Sequence, residues 1–173
     1  IYAAVTANGG TVTIEGGTIK ATSEAAENNR AIEVSSGTVT INGGTIEGAQ
    51  IGVRVWGGAK LIVNSGTIRG GESYALLTGG TVQLSGGTFT TSAADGYSVW
   101  NEKGTAESLL ASAGYAYTTE AGERSAFSDD GRGVVGNTTV EEIPESVSYI
   151  GADGTVQSCA EYEVVTSDTD GLT

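Results

Sequence analysis

The sequence contains no histidine, no methionine, one cysteine and one proline in 173 residues. Without histidine and with a single cysteine, the usual ligand sets for zinc, haem and iron–sulfur clusters are missing, as are Ser-His-Asp and Cys-His catalytic groups. One cysteine cannot form a disulfide framework, and one proline without a Gly-X-Y period excludes collagen. We therefore expect no enzyme activity, no catalytic residues, no metal and no cofactor.

Long apolar runs and positive charge are also scarce. No stretch approaches the ~18 apolar residues of a membrane-spanning helix, and 8 Lys and Arg stand against 21 Asp and Glu, for a net charge of −13. Such a surface repels phosphates, so we expect neither nucleic-acid partners nor membrane insertion. The charge is uneven, with −2 in residues 1–104 and −11 in residues 105–173, which predicts a boundary near residue 104.

Glycine is abundant, with 28 residues, and it recurs inside a repeated motif. Four segments combine alternating apolar residues, a small-residue corner and a Thr-Ile or Thr-Phe pair. They begin at Gly10, Gly37, Ala59 and Gly80. Their equivalent apolar residues Ile14, Ile41, Val63 and Leu84 are spaced by 27, 22 and 21 residues. A period of 20 to 30 in glycine-rich β-formers indicates a solenoid, and the pattern of leucine-rich repeats is missing.

Each repeat is predicted to be one rung of three short strands. Period-2 alternation places Val12 and Ile14 inside on the first strand, and Ile19 inside on the second. The third strands are predicted at 2–5, 31–34, 52–55, 74–77 and 97–100. On these we expect two inward columns, namely Ala3, Ile32, Val53, Ala75 and Ser98, followed by Val5, Val34, Val55, Leu77 and Trp100.

The remaining sequence predicts a cap and two hairpins. Residues 105–113 suit a short capping helix with Thr105 as N-cap, in which Leu109 and Leu110 cover the last rung. Hairpins are expected on either side of Glu120–Glu123 and around Asp153-Gly154. The fold class is thus all-β, a right-handed parallel β-helix with a short helical cap and C-terminal hairpins. The predicted regions are solenoid rungs at 1–104, capping helix and hairpin at 105–143, and a linker hairpin toward a following module at 144–173.

The Gly-Gly-Thr repeats resemble right-handed parallel β-helix repeats of large bacterial cell-surface, adhesin-like proteins. Residues 108–117 resemble the motif that follows those repeats, and residues 149–159 resemble their inter-module linker. The resemblance implies secretion, attachment at the cell surface, and other domains of the same long chain as partners. It further implies a role in adhesion or as a stalk, which agrees with the expected lack of catalytic residues.

An aromatic row on the third strand is the best candidate binding site. Tyr2, Tyr74 and Tyr97 are predicted to point outward at one position, with Trp56 one rung earlier. Tyr74 and Tyr97 would then stack about 4.8 Å apart. Exposed rings on a rigid sheet suit the apolar faces of sugars, so a glycan or a host surface protein is the candidate ligand. The alternative is an aromatic pair that only protects the sheet.

Charged residues give weaker signals. Arg54 joins the candidate ligand-binding residues, but it is also predicted beside Glu33 one rung away, as a surface ion pair contributing ~0–1 kcal/mol. A polysaccharide-active enzyme is a remote alternative, because the strands supply few carboxylates and the tight pair Asp129-Asp130 lies outside them. Cys159 is interpreted as a small apolar residue or an idle thiol.

Overall fold

The computed structural model describes residues 3–22, 29–93, 96–112, 114–143, 146–150 and 156–160, the last two ranges by their backbone. The regular structure of these residues is β-strand, apart from a single-turn 3-10 helix at Glu107–Leu109. The predicted all-β class is confirmed. The chain divides into two compact units, Ile1–Glu142 and Ile143–Thr173.

The strands of the first unit follow the repeats. β1 (Ala3–Ile14) and β3 (Arg30–Ile41) are long strands. Each combines the third strand of one repeat with the first strand of the following repeat, without a break. Later repeats separate these two strands. The separate third strands are β5 (Ile51–Val55), β8 (Leu76–Thr78) and β11 (Tyr97–Asn101), and the separate first strands are β6 (Lys60–Val63) and β9 (Thr81–Leu84). The second strands are β2 (Thr18–Ala21), β4 (Thr45–Gly48), β7 (Thr67–Gly70) and β10 (Thr88–Thr91).

Equivalent strands of neighbouring repeats pair in parallel. The first strands pair in the order β1, β3, β6, β9, the second strands in the order β2, β4, β7, β10, and the third strands in the order β3, β5, β8, β11. The predicted first- and second-strand columns are in register. They are Val12, Val39, Leu61 and Val82; Ile14, Ile41, Val63 and Leu84; and Ile19, Ile46, Ile68 and Phe89. Stacking of β-branched residues of similar shape thus builds the core.

The predicted third-strand register is wrong in the last two repeats. Val53 pairs with Leu76 and then Val99, so Leu77 and Trp100 turn outward instead of inward. A slip of one residue exchanges the faces of a strand, but Ala75 and Ser98, predicted inside, are both buried. Thr78 and Asn101 take the inward position after Leu77 and Trp100 and are buried. The first repeat also differs, because Val5 and not Ala3 pairs with Ile32.

The turns that follow these strands accommodate the slip. The Thr78 hydroxyl accepts a hydrogen bond from the Gly80 backbone N–H at 3.1 Å. The Asn101 side chain donates to the Thr105 carbonyl at 2.9 Å and accepts from the Lys103 N–H at 3.1 Å. Because these turns satisfy their polar groups, Thr78 and Asn101 can be buried where alternation alone placed apolar residues.

The predicted capping helix is only the one 3-10 turn, and Thr105 is not its N-cap. Ala106 holds that position without a side-chain hydrogen bond. The Thr105 carbonyl instead accepts from Asn101 and, at 2.6 Å, from the Ser108 hydroxyl. Of the two leucines predicted to cover the last rung, Leu109 is buried and Leu110 packs against the core.

Three further strands complete the first unit. They are β12 (Tyr115–Thr118), β13 (Gly133–Val135) and β14 (Thr138–Glu142). β13 runs antiparallel to β11, and β14 runs antiparallel to β10 and to β12. Leu110 forms a bridge with Leu84 of β9. Each of the three parallel ladders is therefore covered at its C-terminal end, as an exposed strand edge requires.

The predicted hairpins are found in both units. In the first, β12 turns back through residues 119–123, and Thr118 bridges Arg124. In the second, β15 (Ser146–Ile150) pairs antiparallel with β16 (Val156–Ala160). Tyr2, the turn at Asp153-Gly154 and the strand expected at 162–165 lie outside the described residues.

Candidate functional site

The third-strand outer face carries the predicted ligand-binding residues. Its central column consists of Glu33, Arg54, Leu77 and Trp100, which pair in register from β3 to β11. The predicted proximity of Arg54 to Glu33 is confirmed by this register. The ion pairs are different from those predicted, because Glu33 binds Arg30 at 2.8 Å and Arg54 binds Glu102 at 2.8 Å.

Trp56 is an exposed aromatic side chain on this face, at 41%. Its indole N–H donates to the Glu33 carboxylate at 2.9 Å, and the Arg54 guanidinium lies 4.2 Å from the centroid of its ring. The Arg30 guanidinium lies 6.0 Å from that centroid. These contacts fix the ring while leaving part of it accessible, so little side-chain freedom would be lost on binding.

The charge state of Glu33 follows from the same contacts. Burial alone would raise its pKa, but hydrogen bonds from Arg30 and Trp56 outweigh burial and lower the pKa below its ordinary value. Glu33 is therefore an ionised acceptor at neutral pH, which keeps both Arg30 and Trp56 oriented.

Arg54 reaches Glu102 across an intervening repeat. A Cβ placed on Gly79 would be 2.8 Å from the Glu102 carboxylate. A side chain at this position would therefore displace the Glu102 carboxylate from its place in the structure. The Arg54 side chain is only 8% exposed, and within the described part of the chain its Nη1 has no hydrogen-bond partner.

The tyrosines form a cluster around Trp100 and are half-buried. The ring centroid of Trp100 lies 4.9 Å from that of Tyr97 and 6.1 Å from that of Tyr74. Trp100, predicted to be inside, thus sits between the tyrosines on the outside. A Cβ on Gly133 of β13 would overlap the rings of Tyr97 and Trp100, so β13 packs closely against them. The cluster contributes packing, and Trp56 is more exposed than these three residues.

A second feature, which the sequence did not predict, is a groove of about 710 Å³ along the second strands. Lys20, Glu47, Arg69 and Thr90 stand in one register column along it. Glu47 binds Lys20 at 2.7 Å and lies 3.8 Å from Arg69. The hydrogen bond from Lys20 lowers the pKa of Glu47 below its ordinary value. No lining side chain is apolar and larger than alanine, so the groove suits a polar ligand.

A ladder of polar side chains also went unpredicted. The Asn42 amide donates to both oxygens of Glu15, at 3.1 and 3.0 Å, and accepts from the Asn64 amide at 2.8 Å. Ser85 donates to Asn64 at 2.9 Å. These residues occupy one position of the repeat, directly before its small-residue corner, and that shared position was the available signal.

The other candidate chemistry has structural explanations. Asp130, of the tight carboxylate pair, accepts hydrogen bonds from the Ser128 hydroxyl at 2.6 Å and the Arg132 N–H at 3.1 Å, which lower its pKa. It therefore holds a turn.

Across the described ranges, no three potential metal-ligating side chains of His, Cys, Asp or Glu converge. Nor do those ranges contain a helix of the length and apolarity needed to cross a membrane. Cys159 lies on β16, for which the backbone alone is described.

Comparison with protein-family models, with curated proteins and with solved structures gives no significant match to this chain.

Proposed function

We propose that the chain is a non-catalytic, right-handed parallel β-helix module of a large bacterial cell-surface protein, where it acts as a stalk or adhesin. The main support is the in-register parallel stacking of like side chains over four repeats. Such stacking gives each repeat the same neighbours along the chain, which suits a stiff spacer. The covered C-terminal ends of the ladders suit a module that must stay soluble while exposed outside the cell.

Mechanical pulling tests the stalk function. The chain would be placed between two identical marker domains and stretched through its termini. We expect unit Ile1–Glu142 to resist forces that extend an unstructured chain of the same length, and then to unfold in discrete steps. Smooth extension at low force would contradict the proposal.

Carbohydrate or host-protein binding through the third-strand outer face is the second candidate function. The observation in its favour is Trp56, 41% exposed and oriented by Glu33 and Arg54. The indole ring suits the apolar face of a sugar, and its position is fixed before binding.

A glycan array with the purified chain tests this second function. Trp56→Ala should abolish any binding seen, while Lys60→Ala, a control on the first-strand ladder, should leave it unchanged. Loss of binding in Arg69→Ala but not in Trp56→Ala would move the site to the groove. Products released from any glycan during the assay would instead indicate an enzyme.

A further inference from the structure

The apolar columns are incompletely covered where the repeats begin. Val12, Ile14 and Ile19 are half-buried. Their counterparts one repeat later are all 0% exposed, and these are Val39, Ile41 and Ile46. Each later residue lies between two repeats, whereas among the described residues the early ones have a repeat on one side only. The interior of the stack is therefore open at β1 and β2.

The edge of β1 has only part of the usual protection, because its register with β3 shifts between Ala7 and Asn8 and between Asn8 and Thr11, as at a β-bulge. Its 12 residues include neither a charged residue nor a proline, and within the described chain it pairs only with β3. A long uncharged edge is a template for further strand pairing. The C-terminal ends of the same ladders are covered by β13, β14 and Leu110. Among the described residues, the ladders are thus covered at their C-terminal ends and uncovered at β1.

The glycines at the corner between the first and second strands indicate what can pack against β1 and β2. A Cβ on Gly43 would lie 2.9 Å from the carbonyl oxygen of Glu15, and one on Gly44 would lie 2.7 Å from that of Gly17. Both clashes are with the preceding repeat. At the equivalent Gly16 and Gly17, no described atom lies within 4 Å of the Cβ position. The backbone at position 17 has a φ of +85°, which favours glycine. Gly16 is not among the glycines with positive φ, so its backbone conformation does not require glycine.

Later copies of the Gly16 position all contact the repeat before them. Besides Gly43, they are Ser65, whose hydroxyl donates to the Asn42 carbonyl, and Gly86, whose Cβ would overlap the Asn64 carbonyl. The position is thus small wherever a preceding backbone passes close to it. Gly16 is equally small, but no described backbone passes close enough to require a small residue there.

We propose that the open edges of β1 and β2 dock a further β-repeat in parallel register, supplied by a preceding repeat module of the same surface protein. The inference rests on the proposed function as a module of a longer protein. The docked repeat would carry Val or Ile over Val12, Ile14 and Ile19. It would also bring a backbone carbonyl over Gly16, as Glu15 does over Gly43.

A second copy of this chain fits the end less well. In a two-fold symmetric pair, β1 would meet β1 of the other copy in antiparallel orientation. An antiparallel strand would not repeat the contact that Glu15 makes with Gly43 in the parallel stack. The corner glycines therefore favour a parallel repeat as the occupant.

A grafted repeat tests the proposal on the full chain. A copy of residues 30–50 would be joined directly ahead of Ala3, because Arg30 and Ile51 stand at the register position of Ala3. Hydrogen exchange would be measured for the amides of β1 and β2. We expect their protection to rise about tenfold or more, toward that of β3 and β4, because local opening becomes more costly. Unchanged exchange in β1 and β2 would overturn the proposal.

Two controls separate docking from a general effect of the added residues. A graft with both Val39→Lys and Ile46→Lys in the copied segment should give no protection. Gly16→Val should leave the thermal stability of the ungrafted chain unchanged but reduce the gain in the grafted one. A stable head-to-head dimer of the ungrafted chain with protected β1 amides would assign the edge to a second copy and also overturn the proposal. None of these outcomes depends on the pulling experiment, which tests the stalk function separately.

Discussion

Two buried hydroxyls on equivalent third strands differ in their hydrogen bonds. Ser98 is 0% exposed, and within the described structure its Oγ has no partner. Thr78 is also 0% exposed, but it accepts from the Gly80 N–H at 3.1 Å. An unsatisfied buried polar atom lowers stability, whereas a satisfied one supports the groups around it.

Ser98→Ala should therefore keep or raise the free energy of unfolding, because it removes an unpaired hydroxyl without opening a large cavity. Thr78→Val should lower it by about 1–2 kcal/mol, because the Gly80 N–H would lose its acceptor. Urea denaturation of both variants measures the difference. A larger loss in Ser98→Ala than in Thr78→Val would show that the Ser98 hydroxyl has a partner.

Glu33 gives a prediction about pH. Its pKa in the folded protein lies below the ordinary 4.5, so the folded state binds fewer protons than the unfolded state in acid. The stabilisation from Glu33 is therefore complete above about pH 4.5 and is lost as the pH falls through the folded pKa. We expect Glu33→Gln to be less stable than the parent at pH 7, with a gap that narrows in acid. A gap independent of pH would contradict this role.

At the scale of one ladder, a row of side-chain hydrogen bonds links four repeats. Its members are Glu15, Asn42, Asn64 and Ser85. Asn42 is its central member, with bonds on both sides. Asn42→Ala should lower the free energy of unfolding by about 1–2 kcal/mol, since each net hydrogen bond contributes ~0.5–1.5 kcal/mol. Ser85→Ala, at the end of the ladder, should cost less. Equal effects in chemical denaturation would indicate that the bonds are not linked along the ladder.

The strands show how far the sequence could predict this fold. The first- and second-strand columns were predictable because Val, Ile, Leu and Phe recur at fixed positions and parallel register places like beside like. The third strand was not, because alternation assigned Leu77 and Trp100 to the interior. The burial of Thr78 and Asn101 depends on backbone groups in the following turns, which a pattern of polarity does not contain.

The candidate site was predictable in part for a similar reason. The sequence placed Arg54 beside Glu33, and their register confirms it. It did not place Glu102, because this residue follows a third strand two repeats later and the strand pattern does not pair it with Arg54. The groove arises from several second strands and the segment that follows them, so no single repeat contains its outline.

Within unit Ile1–Glu142 the repeats form a stack whose first and last repeats differ in burial, and one column of side chains shows that difference. Ile19, Ile46 and Ile68 are the same residue at the same position of successive repeats. Ile46 and Ile68 are 0% exposed, whereas Ile19 is half-buried. Truncating a fully buried isoleucine to alanine costs ~2–5 kcal/mol, because buried apolar area is lost and a cavity is left.

Ile46→Ala and Ile68→Ala should therefore lower the free energy of unfolding by similar amounts in that range. Ile19→Ala should cost at least about 1 kcal/mol less, because part of its side chain already contacts water and the open end can relax. Urea denaturation at one pH compares the three variants in a single background, with the same chemical change at each site. If Ile19→Ala is as destabilising as Ile46→Ala, then the first repeat is covered in solution and its edge is not free to dock another. A smaller loss that grows to the Ile46→Ala value in the grafted chain would connect the exposure of this column directly to the docking of a preceding repeat.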